Sequence, residues 1–240
     1  MLKRTLSAIA CVCAIIPVSP AIAEIDAGAY LAGRQAGAQS DFANSARFYT
    51  KALLQDPSNS YMLENAMTSF IALGQFNRSI PIAQVMVEQG FTSQIAHLAL
   101  SVQSAKDGLW SDIFSRLEQG QSVGPLVDGL VQGWAHLGQR DMSRALASFD
   151  QVIESRGMEV YGITHKAYAM ASVGDFETAA ALFESPVSGG LRYSRNSAIA
   201  HAQILSQLGR NDDALAVLDA IFGKQLDPAV VVLRDALSAG

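Results

Sequence analysis

A short pattern of residues recurs along this chain at an interval of about 34 positions, and no other feature limits the fold as strongly. Most copies have an aromatic residue, a small residue three positions later and then an apolar stripe. The aromatic residue is Phe42, Phe76, Trp110 or Phe176, at intervals of 34, 34 and 66. The last interval is nearly twice 34, and "RDMSRAL" supplies the intervening copy with Met142 in the aromatic position. The pattern therefore predicts a repeat architecture.

A sixth copy follows in "LGRNDDAL", where Gly209 and Ala214 keep the register and Asn211 replaces the aromatic residue. Apolar residues spaced by three and four on both sides of each turn predict two amphipathic helices per copy. No segment alternates with period two, so no strands are predicted. Because one hairpin cannot bury both of its apolar faces, neighbouring hairpins must stack. The predicted fold is an all-α solenoid of about six helix-turn-helix hairpins, with Phe76 and Phe176 buried between helices.

The first copy is similar to a known repeat family. Gly33 lies on its first helix, Asp41-Phe42 at the turn, Tyr49 and Ala52 on its second helix, and Asp56-Pro57 closes the unit. These residues resemble the tetratricopeptide repeat, a 34-residue helix-turn-helix unit. The resemblance covers nearly all of 26–222 and implies a right-handed solenoid that binds protein partners through the inner surface formed by its first helices.

The sequence departs from that family at several positions. Ser40 replaces the turn glycine of the first unit, Ser45 and Ser79 replace alanine in the first two units, and two extra residues follow Gly138. The register survives these changes. We predict helix turns near Ser40, Gly74, Gly108, Gly138 to Arg140, Gly174 and Gly209. The units are expected at 26–59, 60–93, 94–123, 124–157, 160–193 and 195–226, followed by a terminal or seventh-unit helix at 228–238.

The first 23 residues have the pattern of a secretory signal peptide. Lys3 and Arg4 precede a mostly apolar run, and Ala21-Ile22-Ala23 forms a small-x-small cleavage site. The run is too short for a membrane span of about 20 residues, so the mature chain of 24–240 is expected to start at Glu24 without a transmembrane segment. A lipoprotein site at Cys11 is the alternative, although Cys11 lies early in the apolar run.

Both cysteines, Cys11 and Cys13, lie in the predicted leader, so a mature chain would have neither a disulfide nor a thiol nucleophile. Without Lys3 and Arg4 the 17 basic residues become 15 against 22 acidic ones, a formal net charge of −7. That charge disfavours nucleic acid and anionic membranes as partners.

The sequence contains no recognisable catalytic, metal or cofactor motif. His97, His136, His165 and His201 lie on the first helices of four different hairpins, with no pair spaced three or four residues apart. His165 and His201 could approach each other across adjacent hairpins, but a metal site normally needs a third ligand. No G-x-S-x-G turn or phosphate-binding glycine loop is present. We therefore expect neither an enzyme nor a bound cofactor.

The groove-facing positions of the family transfer onto each first helix. They form a neutral lining rich in tyrosine and amide side chains, which suits recognition of extended polar or aromatic segments, or of a helix. Because Arg34 is nearly the only cation there and the second unit offers Glu64, a clamp for a terminal carboxylate is not expected. The predicted partner-binding residues are Tyr30, Arg34, Tyr61, Glu64, Thr68, Leu98, Val102, Asp128, Gln132, His136, Tyr161, Thr164, Tyr168, Asn196, Gln203 and Gln207.

These features favour a non-enzymatic scaffold or adaptor in the periplasm. Association with the outer membrane and secretion are alternative locations. A second hypothesis is a helical accessory region of a larger envelope protein or enzyme, for instance one acting on peptidoglycan, whose functional domain follows Gly240.

The last helix carries apolar residues widely around its axis at Val230, Val231, Leu233 and Leu237, whereas a terminal cap needs a polar outer face. We therefore expect a cover for this helix. Continuation of the natural chain past Gly240 is favoured over pairing with a second copy or a partner.

Overall fold

The computed structural model describes residues 26–185, 194–223 and 228–239. Within these ranges the chain forms thirteen α-helices and no β-strand. The first three hairpins comprise Ala27–Ala38 (α1), Phe42–Ala52 (α2), Ser60–Ala72 (α3), Phe76–Glu88 (α4), Gln94–Lys106 (α5) and Trp110–Glu118 (α6). The remaining helices are Pro125–Gly138 (α7), Met142–Glu154 (α8), Glu159–Ser172 (α9), Phe176–Glu184 (α10), Arg195–Gln207 (α11), Asn211–Phe222 (α12) and Pro228–Ser238 (α13). Each helix packs on the next along the chain, which confirms the predicted all-α solenoid of six hairpins.

All six hairpin turns lie where the sequence predicts them. In four of them a glycine takes the positive φ, as at Gly74 and Gly209 with φ of 70°. Ser40 and Arg140 take the same conformation with φ of 57° and 63°, although it costs a residue with a Cβ atom roughly 1 kcal/mol. An aspartate often caps the N-terminus of the next helix. The Asp41 carboxylate, for example, accepts a hydrogen bond from the Asn44 N–H in the first turn of α2. The turn is thus specified by backbone geometry and capping even where glycine is missing.

In most hairpins the two helices pack around a pair of residues sixteen positions apart, one on each helix. One residue of the pair is small and the other is large. A methyl group on Gly33 would lie 3.1 Å from the ring of Tyr49, and one on Gly133 would overlap the ring of Phe149. A small residue opposite a large one limits the combined volume between the two helices. The pairs in direct contact are Gly33 with Tyr49 and Gly133 with Phe149. Three further pairs of this spacing each lie in one hydrophobic cluster: Met67 and Ala83, Ala167 and Phe183, and Ala202 and Leu218.

The recurring aromatic residue is less buried than the sequence predicts. Phe76 and Phe176 are only half-buried, and each packs on the edge of a hydrophobic cluster. Both are the first residue of their helix, where the end of the hairpin leaves one side open. The residue three positions later is the fully buried one, as at Ser79 and Ala179, both with 0% exposure.

The last helix, α13, covers the end of the stack. Val230 and Leu237 are buried in the same cluster as Leu218 and Phe222 of α12. The expectation that the apolar residues of this helix need an outside cover is therefore wrong for Val230 and Leu237, because α12 supplies it. Val232, with 71% exposure, is the strongly exposed apolar residue of α13. The continuation past Gly240 and the pairing with a second copy stay predictions.

Candidate functional site

The first helices of successive hairpins are neighbours and form one wall of the array, which we call the inner face. Contacts link α1 to α3, α3 to α5, α7 to α9 and α9 to α11. Most predicted partner-binding residues lie on these helices, and three depressions of the inner face contain several of them.

A cleft of about 280 Å³, here called the tyrosine cleft, lies between α9 and α11. Tyr161 is 49% exposed at its rim, Tyr168 is half-buried, and Thr164 is buried in the wall with 7% exposure. Ser194 and Ser197 of the opposite side complete the lining, and their hydroxyl groups are 2.7 Å apart. Among the residues that the structure describes, none that lines this cleft is charged. Its surface therefore offers aromatic faces and neutral hydrogen-bonding groups.

A second depression, of about 560 Å³, adjoins the tyrosine cleft at Tyr168. Gln203 and Gln207 of α11 line one side of it, and the half-buried ring of Phe176 lines the other. Since Tyr168 belongs to both depressions, they form one continuous surface along the last two hairpins.

His165 also lines the tyrosine cleft, and its hydrogen bond with Trp134 assigns the tautomer of its neutral ring. Trp134 of α7 donates its indole N–H to His165 Nδ1 over 2.8 Å. Because an indole nitrogen only donates, Nδ1 carries no proton and the neutral ring is protonated at Nε2. Burial lowers the pKa of His165 below its usual 6.5 and favours this neutral form. His165 thus adds a neutral N–H donor to the lining.

At the opposite end of the array three tyrosine rings meet. Tyr30, Tyr49 and Tyr61 have centroids 6.0 to 6.3 Å apart in tilted and edge-to-face arrangements. Burial, together with a hydrogen bond to Tyr61, raises the pKa of Tyr49, which is only 1% exposed. Tyr61, at the rim of this cluster, is 47% exposed. This cluster therefore has a structural core in Tyr49 and an accessible aromatic edge in Tyr61.

The middle of the inner face is apolar. A cleft of about 120 Å³ between α5 and α7 is lined almost entirely by carbon, with Leu98 and Val102 exposed on one side and Val131 and Trp134 on the other. Leu98 and Val102 were predicted from the sequence, and the structure places them here together.

Solved structures of known proteins share this architecture. A tetratricopeptide repeat protein of Parabacteroides merdae superposes with a TM-score of 0.69 at 13% identity, over 89% of this chain and 85% of that one. PilF of Pseudomonas aeruginosa gives a TM-score of 0.55 at 12% identity, over 89% of this chain and 96% of that one. The fold is that of a tetratricopeptide repeat protein. Neither a protein-family model nor a curated protein matches the sequence.

Within the tetratricopeptide repeat fold some predicted residues have structural partners. The Asp128 carboxylate accepts hydrogen bonds from the Ser122 hydroxyl and from the Val123 N–H at 2.9 Å, so it fixes the loop before α7. His136 stacks on Phe114 with ring centroids 4.5 Å apart. Arg34, Glu64, Thr68, Gln132 and Asn196 lie on first helices outside the three depressions. A binding role for any predicted residue stays a prediction.

The four histidines lie on four different first helices, α5, α7, α9 and α11, as the sequence predicts. His201 stacks on Phe183 with centroids 4.7 Å apart, whereas His165 contacts Trp134 and Tyr168. The His97 ring shares a hydrogen bond of 3.0 Å with the carbonyl of Ser122. Across 26–185, 194–223 and 228–239, no three histidine, cysteine or acidic residues group as metal ligands would.

Sequence reasoning missed four residues that line the tyrosine cleft, namely Val160, His165, Ser194 and Ser197. His165 has no second histidine near it in sequence, and Ser197 carries no motif. The available signal was helical spacing, since His165 follows Tyr161 by four positions and precedes Tyr168 by three. None of the described helices has the length and apolarity needed to cross a bilayer.

Proposed function

We propose that this protein is a non-enzymatic adaptor that binds a protein partner through its inner face, chiefly at the tyrosine cleft and the adjoining depression. The observation that carries the proposal is the continuous neutral surface around Tyr168, with Tyr161 half-exposed at its rim. Tyrosine buries much area at a low entropic cost and keeps one polar group, which makes it effective in recognition. The tetratricopeptide repeat fold supports a scaffold role.

The lining also indicates the kind of segment that fits. An extended peptide presents carbonyl acceptors to His165 Nε2–H and side chains to the rings of Tyr161 and Tyr168. The described lining of the cleft is neutral, which disfavours ionic ligands because desolvating a charge without a partner is costly. We therefore propose an uncharged, extended or helical segment of the partner as the occupant.

Partner capture from a native envelope extract, with and without crosslinking, tests this proposal. Tyr161→Ala and Tyr168→Ala should weaken capture, while Gln151→Ala on the exposed side of α8 should not. Thermal melting of all three variants separates binding from folding. If the tyrosine variants lose capture only in proportion to lost stability, these residues belong to the core and the proposal fails.

We further propose that the protein works in the periplasm after export. The support is the signal-peptide pattern of residues 1–23, which lie outside the described residues. Mass spectrometry of the periplasmic fraction should find a chain that starts at Glu24. A chain that retains Met1, or one that starts at a lipid-modified Cys11, would contradict export by this route.

A further inference from the structure

A cleft with a different chemistry lies between α2 and the turn that joins α3 to α4, apart from the inner face. Its volume is about 320 Å³, and we call it the arginine cleft. Arg47 and Thr50 of α2 line one side, and Arg78 lines the other. Phe70 and Leu73 form an apolar wall, and none of the described residues that line the cleft is acidic.

Both guanidinium groups are held in place without being neutralised. Arg47 stacks over the ring of Phe48 at 4.4 Å, and Arg78 stacks over the ring of Phe70 at 4.0 Å. Arg78 Nη1 also donates to Gln75 Oε1 over 3.0 Å. Stacking on a ring face occupies the plane of a guanidinium group but leaves the N–H donors on its edge free for another acceptor.

Some other arginines of the chain form ion pairs with acidic residues. Arg210 pairs with Glu184 and Asp213, and Arg234 pairs with Asp219. Among the described residues neither Arg47 nor Arg78 forms an ion pair.

Arg47 also interacts electrostatically with Asp41, whose carboxylate is already engaged. This carboxylate accepts hydrogen bonds from the backbone and side chain of Asn44 at 3.1 and 2.6 Å. These bonds are the main reason that the pKa of Asp41 is lowered, and the charge of Arg47 contributes less. Asp41 does not line the cleft. Two positive charges therefore face a common space in a chain whose formal net charge is −5.

We propose that the arginine cleft binds an acidic peptide segment of a protein partner, with Arg47 and Arg78 donating to a glutamate or aspartate carboxylate. The planar fork of arginine matches a carboxylate in two parallel hydrogen bonds. The apolar wall of Phe70 and Leu73 favours a peptide over a free oxyanion, because an apolar side chain of the peptide next to its carboxylate covers that wall. The inference rests on the proposed function only in taking the ligand to be a protein.

Arginine side-chain resonances measured by NMR on the purified protein test the proposal. The probes are two capped tetrapeptides, acetyl-Glu-Leu-Glu-Leu-amide and acetyl-Gln-Leu-Gln-Leu-amide, and sodium phosphate as a third titrant. The Nε–Hε resonances of Arg47 and Arg78 should shift saturably with the glutamate peptide and not with the glutamine peptide. Added NaCl should weaken this binding.

Matched variants connect the binding to the cleft. Arg47→Gln and Arg78→Gln should each weaken binding of the glutamate peptide by about tenfold, since each removes a charge-assisted pair. Arg156→Gln, at an exposed turn residue, should leave it unchanged. Arg47→Gln keeps the test valid if loss of the Arg78 stack disturbs folding. Tyr161→Ala should have no effect here, which separates this site from the inner face.

Three results would overturn the proposal: absence of saturation, equal shifts with both peptides, or an unchanged affinity in both arginine variants. Equal shifts with phosphate at the same concentration would show a site for free oxyanions and also overturn it.

Discussion

Gly133 of α7 lies against the ring of Phe149, and the two helices are too close there for a larger side chain. An added methyl group would overlap the ring, which is fully buried and has no room to move. Gly133→Ala should lower the free energy of unfolding by about 1 to 3 kcal/mol through overpacking. This loss should exceed the roughly 1 kcal/mol by which alanine favours a helix.

Urea denaturation measures the change, with Gly28→Ala as the control. A methyl group on Gly28 meets only Asp26 Oδ1 at 3.4 Å, an ordinary contact, so that variant should be neutral or slightly more stable. A Gly133→Ala protein as stable as the unmodified chain would show that α7 and α8 are not so close.

Because two histidines are half-buried, we predict that the free energy of unfolding falls in mild acid. Burial lowers the pKa of both His165 and His201 below 6.5. The unfolded chain then takes up protons below about pH 6.5 that the folded chain does not, so the free energy of unfolding should decrease as the pH drops from there. Protonation of His165 Nδ1 also breaks its hydrogen bond with Trp134.

Denaturation curves at pH 7.5 and pH 5.5 test this dependence. The double variant His165→Gln and His201→Gln should show a smaller difference between the two pH values than the unmodified chain. Equal differences would contradict the assignment to these histidines.

At the scale of elements, the interval of 34 residues sufficed to predict the hairpins and their turns. Burial inside a hairpin was harder to predict. Met67 and Ala83 fill the same space as Gly33 and Tyr49 with the large residue on the other helix. That exchange keeps the combined volume but breaks the sequence pattern.

The candidate site was less accessible to sequence reasoning for a related reason. Its position on first helices follows from the repeat register, and Tyr161 and Tyr168 do meet in one cleft. However, the Trp134 to His165 hydrogen bond joins residues 31 positions apart in different hairpins. Likewise, Arg47 and Arg78 meet only because α2 packs beside the next hairpin. Such contacts depend on how hairpins stack, which a pattern within one unit does not contain.

The helix α13 offers a direct test of its role as the cover of α12. Leu237→Ala should cost about 2 to 5 kcal/mol because it leaves a cavity in the last cluster. Val232→Ala, on the same helix but 71% exposed, should change stability by less than about 0.5 kcal/mol. Equal effects in thermal melting would mean that α13 does not pack on the array as described.

The whole molecule presents two surfaces of different chemistry. Its inner face is neutral and aromatic at both ends and apolar in the middle, whereas the arginine cleft is positively charged and apart from it. If the proposed partner binds along several hairpins at once, its affinity rises without any single deep pocket.

The most direct test of the account is site-specific photocrosslinking in intact cells. A photoreactive side chain at Tyr161 or Tyr61 places the probe on the inner face, and one at Gln151 or Ala147 places it on exposed positions of the second helix α8. The account predicts a discrete protein adduct from the inner positions and none from the outer positions. The variant Tyr168→Ala should reduce the yield of the adduct formed at position 161. Adducts of equal yield from both sets of positions would contradict binding through the inner face.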